Sequence, residues 1–278
     1  MRIRHRYGIS SFDKRVLRFL SRHKIAYQSD GLITSVEAFE DDERFGDIEL
    51  YMRKMNAVDV KDAIYEKTEL ENSEWLTIKS EWWHQYPEPR DNMAYMSTTY
   101  DSTEYCKGTD NGYYCGKGLR QVHPFMMAKR PNWGARNFMM LNWVPDELFA
   151  SLKACEILED AGLLGFELWD VIDKKHISYE NVKQVHIKTQ LREGLDPRAV
   201  EQELVCPVCG FKKYIAKTGP IKLQKGLFDG LKCDVVRTTE KFGEIGCDSI
   251  ILVSQKFYNV VKENRIDRGL VFEPVELT

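Results

Sequence analysis

Seven cysteines are the residues of this sequence best suited to chemistry, and two of them, Cys206 and Cys209, stand together in "CPVCG". A Cys-x-x-Cys pair offers two soft thiolates from one turn, which is half of a tetrahedral zinc site. Gly210 behind it lets backbone N–H groups turn toward the sulfurs without a Cβ clash. A second pair, Cys106 and Cys115 in "CKGTDNGYYCG", also ends in Cys-Gly (Gly116), but eight residues separate its cysteines. That loop is rich in Gly, Asp and Asn, which suits an exposed turn. Two pairs complete a closed four-sulfur site, so Cys106, Cys115, Cys206 and Cys209 are the expected ligands of a structural Zn2+. Such a site does no chemistry of its own and contributes folding free energy by stapling distant segments.

Other readings of the cysteines stay open. The pairs fit a lost or partial site, or a redox couple. Redox Cys-x-x-Cys pairs sit at helix N-termini, and Phe211 to Ile215 reads as strand. Cys155 falls in a helical pattern as a small core residue. Cys233 and Cys247 are substitute ligands.

Little else carries chemistry. HExxH, GxSxG, P-loop and GxGxxG motifs are absent. His123, in "QVHPF", is either an exposed histidine or a neighbour of the first cysteine pair. His176 and His186 lie between the two repeat copies described next, and nothing nearby completes a triad. Asp41, Asp42 and Glu147 read as solvated loop or cap charges. Arg2, Arg4, His5 and Arg6 either touch phosphate or form a solvated terminus.

The elements that must position the cysteines come from an internal repeat. "DELFASLKACEILEDAGLLGFELWDV" (146–171) and "DSIILVSQKFYNVVKENRIDRGLVFEPV" (248–275) share a plan. Each starts with Asp and runs through apolar residues to a Ser, Ser151 or Ser254, with Lys153 or Lys256 two residues on. Counted from Ser, offsets +3, +6 and +7 are apolar: Ala154, Ile157 and Leu158, then Phe257, Val260 and Val261. That spacing lines one helix face, and Ser is a strong N-cap. Each copy then reaches a Gly, Gly165 or Gly269, and a second strand-like run. The reading is strand, cap, amphipathic helix, strand, with a cysteine pair upstream of each copy.

Residues 1–100 match neither copy. "SSFDKRVLRFLSRHK" reads as a helix, with Ser10 and Asp13 at capping-box spacing and Val16, Phe19 and Leu20 on one face. Residues 33–105 read mostly as strands and loops, with a helix near Val58 to Tyr65. Trp75, Trp82 and Trp83 form an aromatic core, a lid over the zinc region, or a binding surface. The net charge of -3 gives no global basic field. No apolar run reaches the roughly 18 residues of a membrane span, and the start lacks a secretory apolar stretch. A reducing cytoplasm is the expected compartment.

The motif set resembles a known family. It consists of Cys…CysGly, then Gly118, Gln121, Pro124 and Phe125, "LNWVPDELFAS", CxxCG, Phe242-Gly243, and "ILVSQKFYNVV…RGLVFEPVEL". Residues 100–278 resemble the bacterial double-CxxCG motif proteins and are similar to immunity-type proteins of polymorphic toxin systems. The resemblance implies a small bacterial cytoplasmic protein without enzymatic activity that neutralises a partner toxin. The wide spacing of Cys106 and Cys115 departs from that pattern.

The combined expectation is an α+β protein with two pseudo-repeated β-α-β units linked by a four-Cys zinc-ribbon-like site, plus an N-terminal α/β extension. Its expected divisions are 1–100, 101–190 and 191–278. The expected function is protein interaction with a toxin or effector, without membrane or nucleic acid. A zinc-ribbon nucleic-acid-associated protein and an enzyme with an unrecognised site are the alternatives.

Overall fold

Two bodies divide the chain in the computed structural model, which describes residues 1–11, 14–101, 103–109 and 114–278. One holds Met1–Glu69 with Thr218–Pro220, the other Leu70–Lys217 with Ile221–Thr278. The fold class is mixed α+β.

In the N-terminal body, β1 (Arg2–Ser10), α1 (Lys14–Arg22), β2 (Tyr27–Ser29), β3 (Ile33–Phe39), α2 (Phe45–Lys54) and β4 (Val58–Ile64) follow in order. The sheet runs β2-β3-β1-β4, with every pair antiparallel. This is the ferredoxin-like β-α-β-β-α-β plan. Alternation sends Tyr7, Val36 and Ala38 into a core with Val16 and Leu20 of α1 and Ile48 and Met52 of α2. Helix α1 lies where its periodicity predicts. Ser10 instead ends β1, and Asp13 lies outside the described residues. The helix expected near Val58 to Tyr65 is strand β4, because Val58, Val60 and Ile64 are β-branched and alternate while pairing with β1. Helix α2 falls where the sequence predicts strand and loop, although Phe45, Ile48 and Met52 have helical spacing.

The main body begins within a short helix, α3 (Lys67–Glu71), and continues through β5 (Trp75–Ser80), α4 (Tyr95–Thr99), β6 (Tyr100–Asp101) and β7 (Arg120–Gln121). Then come β8 (Phe138–Leu141), β9 (Val144–Ala150), α5 (Leu152–Asp160), β10 (Phe166–Ile172) and β11 (Ser178–Ile187). Strands β12 (Val200–Val205), β13 (Lys212–Ala216), β14 (Ile221–Leu223), β15 (Val235–Arg237) and β16 (Lys241–Phe242) lead to β17 (Ile251–Ser254), α6 (Gln255–Glu263) and β18 (Leu270–Leu277).

The first large sheet is β10-β11-β9-β8 and the second β14-β18-β5-β17-β15. Strands β9 and β10 are both antiparallel to β11, so they run parallel to each other with β11 between them. Strands β17 and β18 stand in the same relation to β5. Strands β8 and β15 pair antiparallel with the outer sides of β9 and β17.

Ser151 caps α5 by accepting from the Ala154 N–H at 3.2 Å, and Ser254 caps α6 by accepting from Phe257 at 3.2 Å. Each serine also donates its hydroxyl upstream, Ser151 to Asn137 Oδ1 at 2.9 Å and Ser254 to Asp234 Oδ1 at 2.8 Å. Their backbone N–H groups donate to the carbonyls of the same two residues. The apolar faces counted from these serines meet in one core, where Ala154, Leu158, Phe257 and Val261 are buried and Ile157 and Val260 pack against them.

The expected boundaries at residues 100 and 190 are corrected. Strand β5 sits between β17 and β18, so residues 70–100 belong to the main body. The two helices share one core, so 101–190 and 191–278 are not separate bodies. Among the described residues no helix is long and apolar enough to cross a membrane.

Replacing either cap, Ser151→Ala or Ser254→Ala, removes one orphan-donor partner and strands an upstream side chain. Each should cost about 1 to 2 kcal/mol in chemical denaturation.

Candidate functional site

The β12–β13 hairpin carries Cys206 and Cys209 in its turn. The short β6–β7 pair brackets the segment holding Cys106 and Cys115. These segments bring all four sulfurs within 4.8 Å of one another. Cys106 Sγ lies 3.9 Å from Cys206 Sγ, and Cys115 Sγ lies 3.6 Å from Cys209 Sγ. Four sulfurs at about 2.3 Å from a tetrahedral zinc ion would stand about 3.8 Å apart. The cluster can therefore hold a metal ion.

Both turns close the same way despite their different spacing. The Cys206 N–H donates to the Phe211 carbonyl at 2.8 Å, and the Gly210 N–H donates to the Cys206 carbonyl at 2.9 Å. In the other turn the Cys106 N–H donates to Lys117 and the Gly116 N–H to Cys106, each at 2.9 Å. The extra residues loop out through a bridge between Gly108 and Tyr114; 110–113 lie outside the described residues. Gly210 (φ 73°) and Gly116 (φ 76°) are both left-handed, as the sequence predicts. At Gly116 a Cβ would also come within 2.7 Å of the Cys247 Cβ.

The electrostatics of the cluster call for a cation. Burial opposes ionisation of Cys206, but the N–H groups of Cys209 and Val208 outweigh it and bring the thiol down to about 7. The Gly108 N–H favours the Cys106 thiolate, yet burial and the facing Cys209 leave it raised. Burial pushes Cys115 well up. One thiolate thus forms readily, while Cys106 and Cys115 are held protonated unless a positive charge enters.

Cys233 faces Thr189, Cys247 packs on Gly116, and Cys155 is buried in α5, so none of the three joins the cluster. His123 is exposed and outside it. His176 is exposed in a turn, while His186 lies in β11 and stacks on Trp169 at 3.9 Å. Trp75 and Trp82 enter cores, whereas Trp83 is 42 % exposed. Arg2 pairs with Asp41, and Arg4 and Arg6 pair with Asp62, so the basic start is compensated. His5 is buried between Asp59 and Glu40. Asp42 pairs with Arg44. No protein-family model matches the chain, and no curated protein matches it.

Sequence reasoning missed two features. Lys213, next to the exposed Lys212, turns inward and is completely buried. Its Nζ donates to the carbonyls of Tyr114 (2.6 Å), Gly246 (2.7 Å) and Glu244 (3.2 Å). The second feature is a cleft of about 1420 Å3, lined beside the cysteine turns by Gly116, Lys117 and Phe211. Its lining includes Asp146, Glu147, Arg237, Lys241 and Asp248. Glu147, read from sequence as a solvated charge, is 3 % exposed. It accepts from Arg237 at 3.1 Å and from Gln184 at 2.7 Å. Burial works against the Arg237 charge, but Glu147 and Asp146 overcome it and hold the guanidinium cationic. The signal in sequence was a carboxylate inside the apolar strand run "VPDELFA".

Burial, with Asp146 alongside, lifts Asp248 from the ordinary 3.8 to about 7, against Lys241 and Lys213. The folded state therefore binds this proton more tightly than the unfolded chain, so stability is greatest below the ordinary value and falls as pH rises to about 7. Asp248→Asn should remove that decline: the variant's melting temperature should gain on wild type from pH 4 to pH 7. Lys213→Met should cost at least about 2 kcal/mol in denaturation, because buried carbonyls lose their donor.

Proposed function

We propose that this protein is a zinc-stapled, non-enzymatic interaction module that neutralises a partner protein by occluding it. The observation that carries the metal assignment is the convergence of Cys106, Cys115, Cys206 and Cys209, from segments about 90 to 100 residues apart, at tetrahedral sulfur spacing. Four sulfur donors grouped among the described residues favour structural zinc over a catalytic metal. When bound, the ion supplies the positive charge the thiolates need. The residues following the cysteines line the cleft, so the staple holds one wall of a preformed contact surface.

The shared strand order, serine caps and upstream hydrogen bonds support reading 146–171 and 248–275 as duplicated β-α-β units. Strand β5 fills in the second the place that β11 fills in the first. The resemblance to double-CxxCG and immunity-type proteins supplies the partner class, a toxin or effector protein in a bacterial cytoplasm. The compensated arginines and inward Lys213 weigh against a nucleic-acid face. A second reading, acid–base catalysis, is favoured by Asp248 near neutrality beside Asp146 in a cleft.

Protein purified without added metal should hold about one zinc per chain by elemental analysis. Cys115→Ser and Cys206→Ser should each lose the metal and melt at lower temperature; a metal-free wild type would sink the staple. A tagged pull-down from the native host should return one stoichiometric protein, and nucleic acid alone would overturn the partner assignment. A partner returned chemically altered by substoichiometric protein would favour catalysis over binding.

A further inference from the structure

Asp146 and Asp248 each open one of the two similar sequence stretches, and both lie in the cleft with Glu147. The cations among them are already engaged. Arg237 is held by Glu147. Lys241 Nζ donates to Ser249 Oγ at 2.9 Å and stands 3.9 Å from Asp146, whose Oδ2 also accepts from the Ser249 N–H. Lys213 donates to backbone carbonyls. Asp248 is the carboxylate left over: among the described residues its side chain has no hydrogen-bond or ion-pair partner.

A second, independent feature lines the same cleft. Tyr95 is only 2 % exposed, its ring stacked on Trp143 with centroids 6.0 Å apart. It lines the cleft, its hydroxyl has no partner among the described residues, and burial first, then Asp248 and Asp146, disfavour its ionisation. A buried phenol lining the same cleft as a carboxylate with no ion-pair partner among the described residues makes an incomplete polar site, and what completes it must bring both positive charge and N–H donors. Tyr114 adds a further aromatic ring to the lining, and such rings attract organic cations over their faces. A metal ion is a poorer fit, since phenol and indole groups are not its usual ligands. The lip is apolar: Trp83, Met93, Trp143 and Ile245 are 42 %, 46 %, 45 % and 81 % exposed. Such a lip suits the aliphatic stem of a long basic side chain and the chain that bears it. The volume of about 1420 Å3 exceeds that of ordinary small-molecule pockets.

We propose that the cleft captures a lysine or arginine side chain from an extended segment of the partner protein, with Asp248 as counter-ion and Tyr95 as hydrogen-bond acceptor and aromatic wall. This deepens the interaction reading and rests on the cleft being its contact surface. It also gives the unpaired carboxylate a purpose: the site forgoes stability in the free protein and recovers it on binding.

The test uses the full-length protein as purified and three capped hexapeptides that differ only at a central Lys, Arg or norleucine, titrated while following tryptophan fluorescence and by calorimetry. The Lys or Arg peptide should bind at least about tenfold more tightly than the norleucine peptide, as expected for one buried charge-assisted pair. Asp248→Asn should reduce that preference to about twofold or less while leaving the norleucine peptide unaffected. Tyr95→Phe, which keeps the ring and fold, should weaken the basic peptides alone by about threefold. Equal binding of all three peptides, no binding of any, or a preference that survives both substitutions would overturn the proposal. A failed pull-down with the Lys or Arg preference intact would sink the toxin-type partner and leave the cation site standing.

Discussion

Four cysteine sulfurs packed within 4.8 Å of one another set the terms for much of the main body. Thiols at that separation cannot all ionise without a cation among them, and two of the four, Cys115 and Cys206, are essentially buried. Two turns of different length present these sulfurs through the same pair of backbone hydrogen bonds. The eight-residue spacing of the first pair thus changes the loop beyond the turn and leaves the turn intact. Lys213 reinforces the arrangement from below by joining the Tyr114 carbonyl to those of Glu244 and Gly246. Segments with no regular structure of their own are thereby fixed as one wall of the cleft.

The opposite demand comes from the cleft floor. Asp146 and Asp248 line one cleft with Glu147, and the Asp248 carboxylate has no partner among the described residues. Burying it costs folding free energy, which is the usual signature of a site shaped for something other than stability. The capped helices and their common core, with Phe257 and Leu158 wholly buried, supply the rigidity that tolerates this cost. The N-terminal body shows the contrasting case: Arg2, Arg4 and Arg6 of β1 each meet a carboxylate.

Much of this was legible locally. Ser151 and Ser254 announce helix starts, because capping depends on residues within one turn. Ala154, Leu158, Phe257 and Val261 fall on buried faces, because helical periodicity is a property of the chain itself. The grouping of the four cysteines was also readable, since Cys-Gly recurs at both turns. Strand β4 and helix α2 depart from the sequence expectation because their short apolar patterns serve either period. Strand β11 and the burial of Glu147 and Lys213 left weaker signals, since a charged residue in a short run looks solvated until its partners are known.

The sequence by itself determined the caps, the helix faces, the two cysteine turns and the mixed α+β class, all of which rest on contacts between near neighbours. Tertiary structure alone decided that β5 completes the sheet of β17 and β18, that the two aspartates share one cleft, and that Asp248 makes no ion pair among the described residues. Those outcomes depend on which strands lie side by side, and strand order brings together residues 100 and more positions apart that no local spacing relates.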